Sequence, residues 1–427
     1  MLQKFSTKKY HEIVEIIGNA GVFLFFALVI STKSGHSVAI LLMLLASLLA
    51  IPLKREDAMS REVKICIAFL ISLGLFWSHT FDSLFSFSLK GDSLVRYGIG
   101  ALCIVGFSKI TIQPRSIFYG FCVGGIAALV IALVQYHEIG RADGFTNAIR
   151  FGNLTLLMGL ACFAAFFIKF FNKSERIFFL TSSFCLFTAS ILSLSRGGWL
   201  MFVFIPIIAF FMLRQHKKYA IYFSFFLLSM VLASSMLPPV KNRILQANEE
   251  INGYFTDRDK YVATSVGARL EMWKLAISMG TEKPLTGWGE NQIQDGRVNY
   301  IEKYNFHPFI LQFKHAHNDF LNMWASRGII GVISLLLIYF FPIYLIFMLY
   351  KKNKDVLLPA GKYYDLNRLL LMVGVMTYFG YFVFGLSDWF FTFVIGRNFY
   401  LFALIAYFSA MLWVRKNGMA ESSDYPL

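Results

Sequence analysis

Ile329-Ile330-Gly331-Val332-Ile333-Ser334-Leu335-Leu336-Leu337-Ile338-Tyr339-Phe340-Phe341-Pro342-Ile343-Tyr344-Leu345-Ile346-Phe347-Met348-Leu349-Tyr350 runs for 22 residues without a charged side chain, and Lys351-Lys352-Asn353-Lys354 closes it. At about 1.5 Å rise per residue, a helix of this length spans the roughly 30 Å hydrocarbon core of a bilayer. The run is too long, and too apolar on every face, for a barrel strand. Lipid offers the backbone no hydrogen-bond partner, so the segment is expected to be a helix.

Working outward with windows of about 19 residues, the chain offers twelve such spans. They fall near 13–31, 37–53, 64–81, 94–112, 116–136, 152–171, 177–194, 198–213, 219–237, 329–350, 367–386 and 390–414. Composition agrees: 57% of the 427 residues are hydrophobic and 15% are charged, where a soluble chain carries about 25% charged residues. The expected fold class is therefore an all-α polytopic membrane protein. Spans one to nine occupy 1–237, a large loop with short helices occupies 238–328, and spans ten to twelve with a tail occupy 329–427.

Basic residues orient the spans. The N-terminus, every second connection and the C-terminus hold twenty-two Lys and Arg, whereas the alternate short connections hold seven: Lys33, Lys90, Arg96, Arg141, Arg150, Arg196 and Arg397. The positive-inside rule puts both termini in the cytoplasm and the 238–328 loop outside. The net charge of +15 is thus a topology signal and argues against a nucleic-acid partner. Cys66, Cys103, Cys122, Cys162 and Cys185 all lie in apolar blocks, so no disulfide framework is offered. The spans are nearly free of charge, whereas ion-coupled transporters bury acids, bases or broken helices near mid-membrane.

The informative polar residues cluster at the outer ends. Lys314-His315-Ala316-His317-Asn318-Asp319 closes the long loop, and Phe320, Leu321 and Trp324 have the spacing of a short surface helix. A histidine there suits proton abstraction from a hydroxyl; an interfacial histidine without chemistry is the alternative. His315, two residues earlier on a helix, would face elsewhere. A zinc site would need a third ligand, and His307 is the obvious one.

Ser193-Leu194-Ser195-Arg196-Gly197-Gly198-Trp199 fixes an arginine in a short outer connection, where a guanidinium suits a phosphate. In Thr264 to Trp273, Leu270, Trp273 and Ile277 suggest an apolar stripe, with Ser265 as the cap and Arg269 in the first helical turn. A solvated Arg269 paired with Glu271 or Asp259 is the plainer reading. Arg141-Ala142-Asp143-Gly144-Phe145 with Arg150 opens span six. Gly385-Leu386-Ser387-Asp388 and Arg397 occupy the last outer turn, where Asp388 and Arg397 could simply pair. Pro284 to Gly289 reads as a turn shaping the loop.

His317-Asn318, nine residues, then Gly328-Ile329-Ile330-Gly331 resembles the signature of the O-antigen ligase and polymerase superfamily. Thr264 to Trp273, the arginine after span seven, Gly385 to Asp388 and the Arg141–Gly152 turn resemble the ligase branch. The resemblance implies a metal-independent, inverting membrane glycosyltransferase that needs no cofactor. It would move a glycan from undecaprenyl pyrophosphate to lipid A–core at the periplasmic face of the bacterial inner membrane. It implies His317 as general base, with Arg196 and Arg269 on the pyrophosphate. Arg141, Arg150, His315, Asn318, Asp388 and Arg397 would line the substrates. A polymerase or protein glycosyltransferase of the same superfamily, or a transporter of lipid-linked sugars, are the other readings.

Overall fold

The computed structural model describes residues 2–54, 59–78, 91–195, 197–201, 221, 222, 225, 229, 236, 238–290, 292–359, 361–391 and 393–423. Their regular structure is helical. Seven α-helices are described up to residue 192: α1 Leu2–Leu28, α2 Gly35–Ala50, α3 Arg61–Ser78, α4 Gly91–Lys109, α5 Pro114–Ile139, α6 Ala148–Phe166 and α7 Lys173–Leu192. The spans expected at 198–213 and 219–237 fall almost wholly outside the described residues. Beyond them lie α8 Pro238–Thr256, α9 Arg258–Tyr261, α10 Ser265–Glu282, α11 Ile293–Tyr304, α12 Asp319–Lys354, α13 Lys362–Gly385 and α14 Val394–Ser423.

Seven of the described helices, in α1, α5, α6, α7, α12, α13 and α14, are long and apolar enough to cross a membrane, and α2 is apolar but shorter. The chain is a polytopic membrane protein. Several helices start ahead of the apolar windows because capping, not hydropathy, sets the first turn. Asn172 and Glu175 form a reciprocal capping box for α7, Asn147 accepts from the Arg150 N–H for α6, and Pro114 opens α5.

Burial ranks the spans. In α6, α13 and α14 about four-fifths of the apolar window is enclosed, at 83%, 78% and 83%, against 39% in α1 and α12. The outer helices turn Leu133, Val134, Ile333 and Leu337 outward, as a lipid-facing surface requires. The three enclosed helices form the centre, and their ends carry Arg150, Asp388 and Arg397.

A second core joins α10, α11 and the approach to α12. It contains Ala268, Met272, Leu275, Ala276 and Met279 of α10 against Tyr300, Ile301, Ile310, Ala316 and Ala325. This corrects the expected stripe, since Ile277 is half exposed. The small residues decide which face packs: a Cβ on Gly280 would sit 2.2 Å from the Trp324 ring. The cap is also corrected. Thr264, not Ser265, accepts from the Gly267 N–H, at 3.1 Å.

The short helix expected before span ten is present as Asp319–Arg327, and Gly328 breaks α12 with φ 58° and ψ −151°. The 284–289 turn fills the break. Trp288 and Gly289 donate to the Ala325 and Ser326 carbonyls at 2.9 Å, and Ile329 donates to the Pro284 carbonyl at 2.8 Å. Arg327 is fully buried there, paired with Glu290, donating to the Phe76 carbonyl at 3.2 Å and lying over Phe76 and Trp77. Gly328→Ala would place a Cβ 2.5 Å from the Leu285 carbonyl carbon in a backbone region open to glycine. A loss of about 1–3 kcal/mol is expected, read as a lower Tm of the purified protein; an unchanged Tm would refute this account of the break.

Candidate functional site

The site is built where the end of the long loop meets the turn between α13 and α14. His315, Ala316 and His317 are not helical, and His317 has φ 49°. The expectation that a helix would turn His315 away is therefore corrected: the two imidazoles meet edge to face, with centroids 4.4 Å apart. The segment is pinned from several sides. Trp273 Nε1 donates to the Ala316 carbonyl at 2.9 Å, and Arg297 donates to the Phe313 carbonyl at 2.6 Å. Asn318 Oδ1 accepts from the Leu321 N–H at 3.1 Å, while its Nδ2 donates to the Leu386 carbonyl at 3.0 Å. Asn318 thereby caps α12 and ties the histidine segment to the 385–388 turn.

This tie brings His317 to Asp388. His317 Nδ1 lies 2.9 Å from Asp388 Oδ1, with the aspartate side chain 2% exposed and the histidine 24%. Burial pushes the Asp388 carboxyl up, but the His317 hydrogen bond, the imidazole charge and the Trp389 N–H bring it below its ordinary value. An ionised Asp388 requires a proton on Nδ1, and in the neutral imidazole this leaves Nε2 with its lone pair. That tautomer is the one a general base needs. The expected pairing of Asp388 with Arg397 is corrected. Arg397 instead sits 3.5 Å from Asp92 and 3.4 Å from Ser93 Oγ, on α4.

Gly385 explains its place in the motif. A Cβ there would meet the Tyr339 hydroxyl at 2.5 Å and Asp319 Oδ2 at 2.8 Å. Those two groups already share a 2.5 Å hydrogen bond. The turn can approach α12 this closely only without a side chain at 385.

His315 stacks on Trp389 at 6.3 Å and meets Phe393 edge-on at 5.9 Å. Burial, the neighbouring His317 and nearby arginines lower its pKa to about 4, against the partial pull of Asp388. The folded protein thus keeps His315 neutral down to about 4, whereas the unfolded chain protonates near 6.5. Acidification through that window binds protons preferentially to the unfolded chain and favours unfolding. The decline in Tm from pH 6.5 to pH 4 is expected to be shallower in His315→Phe than in the wild type. Parallel declines would show that His315 does not contribute.

A cavity of about 120 Å³ reaches Ser387, the residue before Asp388, and is lined by Arg141, Ile149, Leu194, Ser195, Gly197, Ser265, Arg269 and Ser387. Four stretches distant in sequence meet in it. Arg141 donates from Nε to the Ser193 carbonyl at 2.8 Å, which anchors the end of α7. Gly197 approaches the turn between α13 and α14 so closely that a Cβ would lie 2.4 Å from Ser387 Oγ. Arg269 enters from the start of α10, whose cap on Thr264 leaves Ser265 to the cavity wall. Arg196 lies outside the described residues, but both its neighbours, Ser195 and Gly197, line the cavity. Two guanidinium groups and three hydroxyls around a small space suit an anion with several oxygens.

The cavity and the base are joined through the chain, since Ser387 precedes Asp388 and Ile149 precedes Arg150. The Arg150 guanidinium lies 3.0 Å over the Phe393 ring and 3.5 Å from Thr146 Oγ1. His307, the candidate third metal ligand, instead accepts from the Phe309 N–H through Nδ1. Among the described residues no three His, Cys, Asp or Glu side chains gather as a ligand set. The sequence reading missed the roles of Trp273, Arg297 and Arg327, which hold the loop. Trp273 reads in the sequence only as part of a stripe, and nothing local distinguishes a buried loop arginine from a solvated one.

A helical membrane protein with a histidine–aspartate pair and an arginine-lined cavity has groups suited to holding an anion and moving a proton. The relatives narrow this class. Residues 179–336 match the family model described as O-antigen ligase, an interval that contains Arg196, Arg269, His315 and His317. An O-antigen ligase of Escherichia coli is 23% identical over 256 residues, covering 58% of this chain and 59% of that protein. An uncharacterized protein of Haemophilus influenzae is 28% identical over 344 residues, covering 76% of this chain and 84% of that protein. Over residues 179–336 the chain is thus similar to the O-antigen ligases.

Proposed function

We propose that this protein transfers a glycan from undecaprenyl pyrophosphate to a sugar hydroxyl of lipid A–core, at the periplasmic face of the bacterial inner membrane. His317 Nε2 takes the proton of the acceptor hydroxyl as its oxygen attacks the anomeric carbon. The bond to the pyrophosphate breaks in the same displacement, so the anomeric configuration inverts. Arg269, Arg141 and Arg196 hold the charge of the departing diphosphate, and no metal is required of them. Arg150, His315, Asn318 and Arg397 shape and brace the surrounding walls. Residues 238–328 form the periplasmic part, between the spans of 1–237 and those of 329–427, with both termini cytoplasmic.

The observation that carries this reading is the His317–Asp388 contact beside the arginine-lined cavity. Ligase-named relatives support the choice of ligase over polymerase. The test is a transfer assay with purified protein, lipid-linked glycan and lipid A–core. The expected product is glycan on core. Elongation of lipid-linked glycan without transfer to core would establish a polymerase, and movement of lipid-linked sugar across vesicles without any transfer would establish a transporter.

A further inference from the structure

A second, wider cavity lies at the other end of α5. α5 begins at Pro114 and ends at Ile139, and its far end leads directly to Arg141 in the anion cavity. At about 1.5 Å per residue the two ends are roughly 39 Å apart, so the groove and the site face opposite sides of the bilayer. The groove measures about 770 Å³ and runs between α1 and α5. Glu12, Glu15, Asn19, Ala20 and Phe23 of α1 line one wall; Gln113, Arg115, Ser116, Tyr119 and Val123 line the other.

Its lining is graded. Glu12 and Glu15 stand midway along α1, beside Gln113, Arg115 and Ser116 at the start of α5, whereas Ala20, Phe23 and Val123 lie further along the two helices. From Glu12 to Phe23 the helix climbs about 16 Å, close to half the roughly 30 Å hydrocarbon core. A polar mouth above an apolar trough of that depth matches one leaflet's worth of a phospholipid.

Charge selects the headgroup. The lining carries two carboxylates and one guanidinium, and that guanidinium is already engaged. Arg115 donates to Glu175 through Nε at 2.6 Å and through Nη2 at 3.3 Å, which leaves Nη1. Glu15 Oε1 accepts from Thr111 and lies 3.5 Å from His11, while Glu12 is exposed. Asn19 forms the floor with its amide fully used, donating to the Glu15 and Thr111 carbonyls and accepting from Gln113 N–H and Ser116 Oγ. Within the lining the two carboxylates outnumber the one guanidinium and offer an ammonium a partner. A phosphate attached to that ammonium finds Arg115 Nη1 and the exposed Gln113 amide.

We infer that the groove is a binding site for phosphatidylethanolamine, with the ammonium at Glu12 and Glu15, the phosphate at Arg115 and Gln113, and one acyl chain along Ala20, Phe23 and Val123. The site does not rest on the proposed transferase activity. Native mass spectrometry of the purified full chain, exposed in micelles to equal amounts of phosphatidylethanolamine and phosphatidylglycerol, tests it. One retained phosphatidylethanolamine is expected, with phosphatidylglycerol excluded. Glu12→Gln should lower the retained fraction about two- to fivefold, the range of an exposed ion pair. Ala20→Trp should abolish retention by filling the trough. Val123→Trp, which fills the trough from a half-exposed position, decides the matter if Ala20→Trp does not fold. Retention of both lipids in their bulk ratio, or undiminished phosphatidylethanolamine in the folded tryptophan variant, would overturn the assignment.

Discussion

His317→Ala is expected to lower the turnover of glycan transfer by about 10²–10⁴-fold, the range that a positioned general base contributes. The reason is specific to this geometry. A sugar hydroxyl is a weak nucleophile until its proton leaves, and His317 Nε2 is the acceptor left once Nδ1 faces Asp388. Asp388→Asn sharpens the test because it keeps size and nearly keeps shape. An amide can donate its own N–H to Nδ1, which moves the imidazole proton to Nε2 and disables the base. The variant is therefore expected to fold with a Tm near that of the wild type yet to lose turnover on the scale of His317→Ala. The acceptor KM should move far less than kcat, since Asp388 acts through His317. Wild-type turnover in purified His317→Ala would remove the mechanism, and a large loss of Tm in Asp388→Asn would reduce the aspartate to a structural role.

Arg269→Ala is expected to remove about 2.7–4 kcal/mol of transition-state stabilisation, by analogy with the loss of one oxyanion-hole donor. That corresponds to roughly 10²–10³-fold in rate. Charge on the departing diphosphate grows as the glycosidic bond breaks, so the loss should fall on kcat more than on donor KM. Lysine restores a charge but not the planar fork, so Arg269→Lys should recover only part of the rate. The alternative reading, a solvated Arg269 paired with Glu271, is tested by the same variant. Glu271 is buried and taken by Arg258 and Tyr254, and these bonds with the His307 N–H hold its carboxyl below the usual range although burial pushes it up. Arg269→Ala should therefore leave the Glu271 cluster in place while the rate falls. A variant with intact turnover would exclude Arg269 from the leaving-group site.

Legibility in the sequence differed between levels. Lipid solvent, helical spans and the concentration of polar residues at one set of span ends were readable, because hydropathy and basic flanks act within about 20 residues. Helix starts were less so. Windows missed polar first turns such as Asn172 to Glu175, where side-chain caps, not apolarity, begin the helix. The face of α10 was misread because two sides carry apolar residues, and the packed one is chosen by small residues that admit Trp324.

The residue types and spacing alone specified a membrane-embedded helical chain with histidines and arginines at one end, since these features depend on local period and charge. Which groups pair was decided by the tertiary structure. His317 meets a carboxylate 71 positions away, Arg397 turns to Asp92 instead of Asp388, and Arg141 reaches the same cavity as Arg269. Such partnerships depend on how enclosed helices pack and how the 284–289 turn seats the break at Gly328. No short-range pattern encodes them, because a burial cost or a hydrogen bond is set by whatever the fold brings into contact.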